Sequence, residues 1–197
     1  MQPLIVVFAK APRPGFVKTR LGLPAAAAAQ LHESFVRDAL ALACTASDRV
    51  ELHTDVETGA WSDLPHIPRR LQSAGGLGER MLAVLPALII GSDAPTLLPA
   101  HLAELIATPG DVVLGPAEDG GYWAILARRR HEHMFKGVEW STPRTREQTI
   151  AACRACGLHV ALGPEWFDVD EPASLRRLAA RPGSLSASTR ALIERLS

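Results

Sequence analysis

The chain has 197 residues, enough for one sizeable hydrophobic core. Hydrophobic residues make up 47% and charged residues 21%, the proportions of a soluble globular protein rather than a disordered or fibrous one. Its 21 basic and 21 acidic residues cancel, which excludes a general bias toward nucleic acid or anionic membrane and makes any anion binding local. No apolar run is long enough to span a bilayer, and the N-terminus lacks a signal-type pattern. Three cysteines, an odd number, suit a reducing cytoplasm and not a disulfide scaffold. The expectation is a cytoplasmic protein with one domain over residues 1–197.

In chain order, the apolar run from Leu4 to Ala9 reads as a buried strand opening onto the loop Lys10-Ala-Pro-Arg-Pro-Gly-Phe-Val-Lys18-Thr-Arg20. Pro12 and Pro14 restrict that loop, and Gly15 lets backbone approach a ligand. Lys10, Lys18 and Arg20 can converge on an anion at the carboxyl edge of a sheet, where open α/β folds bind ligands. Phosphate fits best, because Arg grips it with a planar fork and Lys with a point charge; the alternative is a basic surface loop.

A helix is expected over Ala25–Ala46, with Leu31, Phe35, Ala39 and Leu42 on one face, then strands at Val50–Thr54 and Arg69–Gln72. Gly75–Gly78 introduces a brief helix through Met81 and Leu85. Ala87–Gly91 is the clearest internal strand, ending in Ser92-Asp-Ala-Pro95. Pro99–Ala107 reads as a helix with proline at its favoured first position. Val112–Gly115 and Tyr122–Leu126 read as strands joined by a turn at Glu118–Gly121. Thr142–Cys156 looks helical, His159–Leu162 extended, and Pro172–Ala180 helical. Ser186–Leu196 is a further amphipathic helix with Leu192 and Leu196 inward. Strands alternating with helices predict a mostly parallel sheet covered on both faces, and the tight turn adds one antiparallel strand. Leu4–Ala9, Ala87–Gly91 and Val112–Gly115 are expected as neighbouring central strands.

Asp93 follows a buried strand and adjoins the cationic loop, the place for a carboxylate that holds Mg²⁺ on two phosphates. It could instead cap the helix after Pro95. In Asp168-Val-Asp170-Glu-Pro, alternation puts both aspartates on one side of an extended segment, where a divalent cation would relieve their repulsion. Asp170 is also a plausible helix N-cap. The glycine-rich stretch Gln72–Arg80, with Gly76 and Gly78, enters a helix whose N–H groups could approach a phosphate or base. Gly115–Trp123 offers a tight turn beside two acids and two aromatics, either a wall for an acceptor or an ordinary hairpin. Cys153 and Cys156 have metal-like spacing but no second pair, and His131-Glu-His133 reads as surface.

Taken in order, F-A-K-A-P-R-P-G-F-V-K-T-R-L, G-G-L-G-E-R-M, G-S-D-A-P-T-L, G-P-A-E-D-G-G-Y-W, W-S-T-P and D-V-D-E-P-A-S-L resemble a family of small bacterial transferases. These are grouped with selenodomain-associated or arsenosugar-biosynthesis glycosyltransferases. More distantly the chain is similar to 2-phospho-lactate guanylyltransferase and molybdenum-cofactor nucleotidyltransferases. The resemblance runs from about Leu4 to Leu178 and implies an α/β GT-A, Rossmann-like three-layer fold of the nucleotide-diphospho-sugar transferase type. It also implies that Lys10, Gly15, Lys18, Arg20, Gly76, Gly78 and Arg80 bind the nucleotide, with Lys18, Arg20 and Asp93 catalytic. Asp93 with Asp168 or Asp170 would take Mg²⁺ or Mn²⁺. Glu118, Asp119, Gly120, Gly121, Trp140, Ser141 and Thr142 would line the acceptor side. Two departures stand out: the segment between Gly78 and Gly91 is short beside the family's pattern, and Asp93-Ala-Pro lacks the second acid of a glycosyltransferase D-x-D. The implied activity is metal-dependent transfer from a nucleotide-diphospho-sugar to a small-molecule acceptor. Nucleotidyl transfer from an NTP to a phosphorylated or acidic acceptor is the alternative, and a nucleotide-binding protein without catalysis the third reading.

Overall fold

In the computed structural model, which describes residues 2–180 and 185–196, the first apolar run forms strand β1 (Ile5–Ala9). Helix α1 (Ala25–Ala46) follows, with its alanine run supplying strong helix formers, and then β2 (Val50–Thr54) and β3 (Arg69–Leu71). Next come α2 (Leu77–Val84), β4 (Ala87–Ile90), α3 (Pro99–Ala107), β5 (Val112–Pro116) and β6 (Tyr122–Ala127). The remaining elements are α4 (Thr145–Ala155), β7 (Val160–Leu162), α5 (Pro172–Ala179) and α6 (Ala187–Leu196).

The seven strands form one sheet in the order β3-β2-β1-β4-β6-β5-β7. All pairs are parallel except those of β6, which runs antiparallel to both β4 and β5. The expected adjacency of β4 and β5 is therefore corrected: β6 lies between them, pairing Ala124 with Ile90 on one side and with Gly115 on the other. The tight hairpin folds β6 back beside β5, and Trp123–Ala127 is apolar at every position, so it tolerates burial on both faces.

Layers of helices cover both faces. Ile5, Val7, Leu52, Leu88 and Ile90 share one core with Val36, Leu40, Leu102 and Leu105 from α1 and α3. On the other face, Val6, Ile89, Leu114 and Ile125 pack with Met81 of α2 and Cys153 of α4. A third cluster joins Leu31 and Phe35 of α1 to Phe167, Val169, Leu178, Leu192 and Ile193, which clamps α5 and α6 against α1. Full burial of a side chain such as Phe35 contributes about 1.5–3 kcal/mol. Leu42 and Leu196 are half-buried at the margins of these cores. No helix among the described residues is long and apolar enough to cross a membrane.

Helix α4 begins at Thr145 and not at Thr142. The Thr145 hydroxyl donates to the carbonyls of Glu139 and Thr142, holding Trp140–Arg144 in a turn with Ser141 at φ +60°. What matters most for the site is that β1 and β4 are adjacent and parallel, with Val7 opposite Ile90. Their carboxyl ends therefore open side by side, which brings the 10–20 loop and Asp93 to one edge of the sheet.

Candidate active site

At that edge lies a cavity of about 510 Å³. The 10–20 loop is pinned at its start, where the Ala11 N–H donates to Asp55 at 2.6 Å and Arg13 pairs with Asp55 at 3.1 Å. Gly15 has φ +82°, a turn position that suits glycine. At its far end Lys18 adopts φ +49°, uncommon for a residue with a side chain, and sends its chain inward.

The Lys18 ammonium sits 2.5 Å from Asp93 Oδ1 and 2.8 Å from Asp170 Oδ1, and donates to the Val169 carbonyl at 2.7 Å. Three hydrogens meet three oxygens. Its side chain is 3% exposed and lies 5.5 Å from the centre of the Phe35 ring. Burial alone would lower its pKa, but the carboxylates of Asp93 and Asp170 outweigh that and raise it, so Lys18 is charged. For Asp93, crowding pushes the pKa up and the Lys18 ammonium pulls it below the ordinary carboxylate value. The Val169 N–H donates to the Asp93 carbonyl at 2.7 Å, stitching the 168–170 segment to the end of β4.

Asp168 and Asp170 both line the cavity, as alternation predicts, with Val169 buried between them. Burial, followed by the charges of Asp119, Asp170 and Asp93, pushes the Asp168 carboxyl up to about 6. The site thus holds more negative charge than Lys18 neutralises. The capping alternatives do not apply: α3 has Leu98 at its N-cap and α5 has Glu171. Ser174 Oγ accepts from the Asp170 and Glu171 N–H groups, leaving the Asp170 carboxylate to Lys18 and, at 3.4 Å, Arg20.

Of the sequence candidates, Lys10, Lys18, Arg20, Arg80, Asp93, Asp119, Gly121, Trp140, Ser141, Thr142, Asp168 and Asp170 line this one cavity. Gly15, Gly76, Gly78, Glu118 and Gly120 do not. The Gly76 N–H is taken by the Glu79 carboxylate at 2.7 Å, so the glycine-rich turn already holds its own anion. Gly78 permits close packing, since a Cβ there would lie 3.0 Å from Phe135 and 3.1 Å from Trp140. Glu118 is drawn away by Arg177 at 2.6 and 3.0 Å. At Gly120, φ is +88° and a Cβ would run into the Pro143 carbonyl.

His32, on the apolar face of α1, is a cavity residue that no motif marks. It is 4% exposed, and its Nε2 lies 2.9 Å from the Lys10 carbonyl. A carbonyl only accepts, which assigns the proton to Nε2 and leaves Nδ1, which has no hydrogen-bond partner among the described residues, as a bare lone pair. Burial lowers the His32 pKa and favours the neutral ring. Gln72 and Arg80 form another wall: Gln72 donates to the Ala9 and His53 carbonyls and accepts from Arg80 at 3.2 Å.

Among the described residues, no three His, Cys, Asp or Glu side chains are grouped so as to hold a metal by themselves. Asp93 and Asp170 nevertheless face one point from two sides, as the Lys18 contacts show. Mg²⁺ is usually bound by one or two carboxylates plus substrate phosphates and water, so this pair of hard oxygen donors fits a metal that arrives with phosphates. Cys153 is core, with its thiol against the Met134 carbonyl and its pKa pushed up to about 12 by burial and then by Cys156.

A family model described as "Uncharacterized protein conserved in bacteria (DUF2064)" matches residues 36–142, more than half of the chain. The chain belongs to this family. A DUF2064 protein can thus be set beside relatives that carry a functional name. The 2-phospho-L-lactate guanylyltransferase of Methanothrix thermoacetophila is 31% identical over 124 residues, 61% of this chain and 53% of that one. The chain therefore spans about half the length of that curated relative. A structure from Desulfovibrio desulfuricans G20, described provisionally as a nucleotide-diphospho-sugar transferase, has a TM-score of 0.78 and 28% identity, covering 97% of this chain and 93% of its own. A cytidylyltransferase from Leptospira borgpetersenii shares the fold at a TM-score of 0.54 and 14% identity, covering 99% and 93%. The DUF2064 chain has the nucleotide-diphospho-sugar transferase fold.

Proposed function

We propose that this protein is a metal-dependent nucleotidyltransferase that moves a nucleoside monophosphate from an NTP to a phosphorylated or acidic small molecule. One observation carries the reading: the second acid, Asp170, comes to Asp93 from a segment distant in the chain, while the neighbours of Asp93 along the chain are Ser92 and Ala94. The guanylyltransferase name of the curated relative points the same way. Asp93 and Asp170 would hold Mg²⁺ or Mn²⁺, with Asp168 beside them. Bound there, the ion would neutralise phosphate charge as a Lewis acid.

The chain's own groups supply the rest. Arg20, whose side chain is 68% exposed, and Lys10 line the cavity as cations for the donor phosphates. While no metal or nucleotide is bound, Lys18 holds the two acids together. Asp119, Gly121 and the Trp140–Thr142 turn form the wall left for the acceptor. An acceptor oxygen attacks the α-phosphorus, the bond to the bridging oxygen breaks, and pyrophosphate leaves in line. Arg20 and Lys10 oppose the charge that develops on it.

Sugar transfer is the second reading, favoured by the 28% identity to the Desulfovibrio protein over nearly the whole chain. Incubation with each labelled NTP and with UDP-, GDP- and dTDP-sugars, with Mg²⁺ and a panel of phosphorylated acids that includes 2-phospho-L-lactate, separates the two. Acceptor-dependent pyrophosphate release supports nucleotidyl transfer. Release of a nucleoside diphosphate from a sugar donor, with no pyrophosphate from any NTP, would overturn it.

A further inference from the structure

We infer that the Lys18 ammonium and a divalent cation are alternative occupants of the space between Asp93 and Asp170, so that metal binds only as Lys18 leaves. The inference rests on the proposed metal dependence and adds how that metal is admitted. Lys18 Nζ lies 2.5 Å from one carboxylate and 2.8 Å from the other. An ion bound to the same two oxygens at the 2.0–2.1 Å typical of Mg²⁺ would meet the ammonium at contact distance. Two positive charges that close, in a site walled by Phe35 and Val169, repel strongly.

Lys18 is also saturated, since Asp93, Asp170 and the Val169 carbonyl use its three hydrogens. It has no hydrogen left for a phosphate while it stays there. Its φ of +49° disfavours the docked conformation for a residue with a Cβ. Its neighbours along the loop, Thr19 and Arg20, line the same cavity, so a released Lys18 chain remains beside the donor phosphates. A donor that brings both metal and phosphate oxygens supplies the replacement cation for the acids and new acceptors for the lysine. Metal and nucleotide binding are then mutually reinforcing, by a coupling that works equally in both directions.

The test is Mn²⁺ titration of the folded, nucleotide-free full chain, followed by the paramagnetic resonance of free Mn²⁺. Lys18→Met, which keeps length and removes charge, should bind Mn²⁺ at least tenfold more tightly than the unaltered protein. Asp93→Asn should abolish binding in both backgrounds. Equal or weaker Mn²⁺ binding by a folded Lys18→Met would overturn the inference while leaving metal dependence intact. A second measurement needs no variant: pulse labelling of amines with acetic anhydride should spare Lys18 in metal-free protein and modify it at saturating Mn²⁺. Protection of Lys18 that does not change with Mn²⁺ would also overturn the inference. Absence of Mn²⁺ binding with or without a non-hydrolysable NTP would overturn the inference together with the metal-dependent reading beneath it.

Discussion

Lys18 and Asp170 stand 152 positions apart in the chain, yet their side chains meet at 2.8 Å over the end of β4. The loop after β1 and the segment before α5 are thereby fastened to each other and to Asp93. The behaviour expected of variants follows from this three-way contact and from the groups around it.

Asp93→Asn keeps the size of the side chain and removes a charge that both Lys18 and a hard cation need. Turnover should fall by about 10²–10³-fold, the scale for losing one electrostatic stabiliser. The far-ultraviolet circular dichroism should be unchanged, because Asp93 lies outside every helix and strand. Retention of more than a tenth of the activity would exclude Asp93 from the chemistry.

Arg20→Ala removes a largely exposed guanidinium whose ion-pair contact with Asp170 is at 3.4 Å. Stability should change little. Nucleotide affinity should fall about ten- to a hundredfold, since a charged hydrogen bond contributes roughly 1.5–3 kcal/mol. Isothermal titration with an NTP measures it, and unchanged affinity would make Arg20 a plain surface residue.

His32 carries a pH signature. Its pKa is lowered in the folded protein by burial, so below about pH 6.5 the unfolded chain takes up a proton that the folded chain refuses. Stability is thus present above that pH and declines as pH falls through it. His32→Gln retains a donor for the Lys10 carbonyl and cannot titrate. Its melting temperature should decline less between pH 7 and pH 5 than that of the unaltered protein. Parallel profiles would mean that His32 is not held neutral.

Gly120→Ala places a methyl group against the Pro143 carbonyl at a backbone angle of +88°. A cost of about 1–3 kcal/mol is expected from the strained conformation, read as a lower denaturant midpoint. The variant should also bind acceptor less well than donor, because the displaced turn carries Ser141 and Thr142. A midpoint equal to that of the unaltered protein would show that the hairpin tolerates the change.

Most elements are legible locally. The bounds of α1 and α3 follow from a helix-forming run and from an initial proline, and those of β1 and β4 from short apolar runs between breakers. Sheet order is not local: nothing near Tyr122 says that β6 will insert between β4 and β5. The cavity residues group as the motifs suggest, but side-chain direction depends on distant partners. Glu118 turns toward Arg177, 59 positions away, and Lys18 toward Asp170. His32 has no motif at all. Its only trace in the sequence is a polar residue between Leu31 and Phe35, on a helix face that is otherwise apolar.

The family model spans residues 36–142, which include Asp93 and the Trp140–Thr142 turn but neither Lys18 nor Asp170. Within that span the cavity receives Arg80, Asp93 and Asp119, while Lys10, Lys18, Arg20, Asp168 and Asp170 come from the flanking segments. The C-terminal one is held there by the packing of α5 and α6 on α1 and by backbone hydrogen bonds, among them Val169 to Asp93 and Trp166 to Pro116. A single cut between β7 and Asp170 would leave every hydrogen-bonded strand pair uncut, while severing the covalent route by which the sheet carries its second acid. For this chain, having the sheet and having the site are separate achievements of folding, and the second depends on its two ends finding each other.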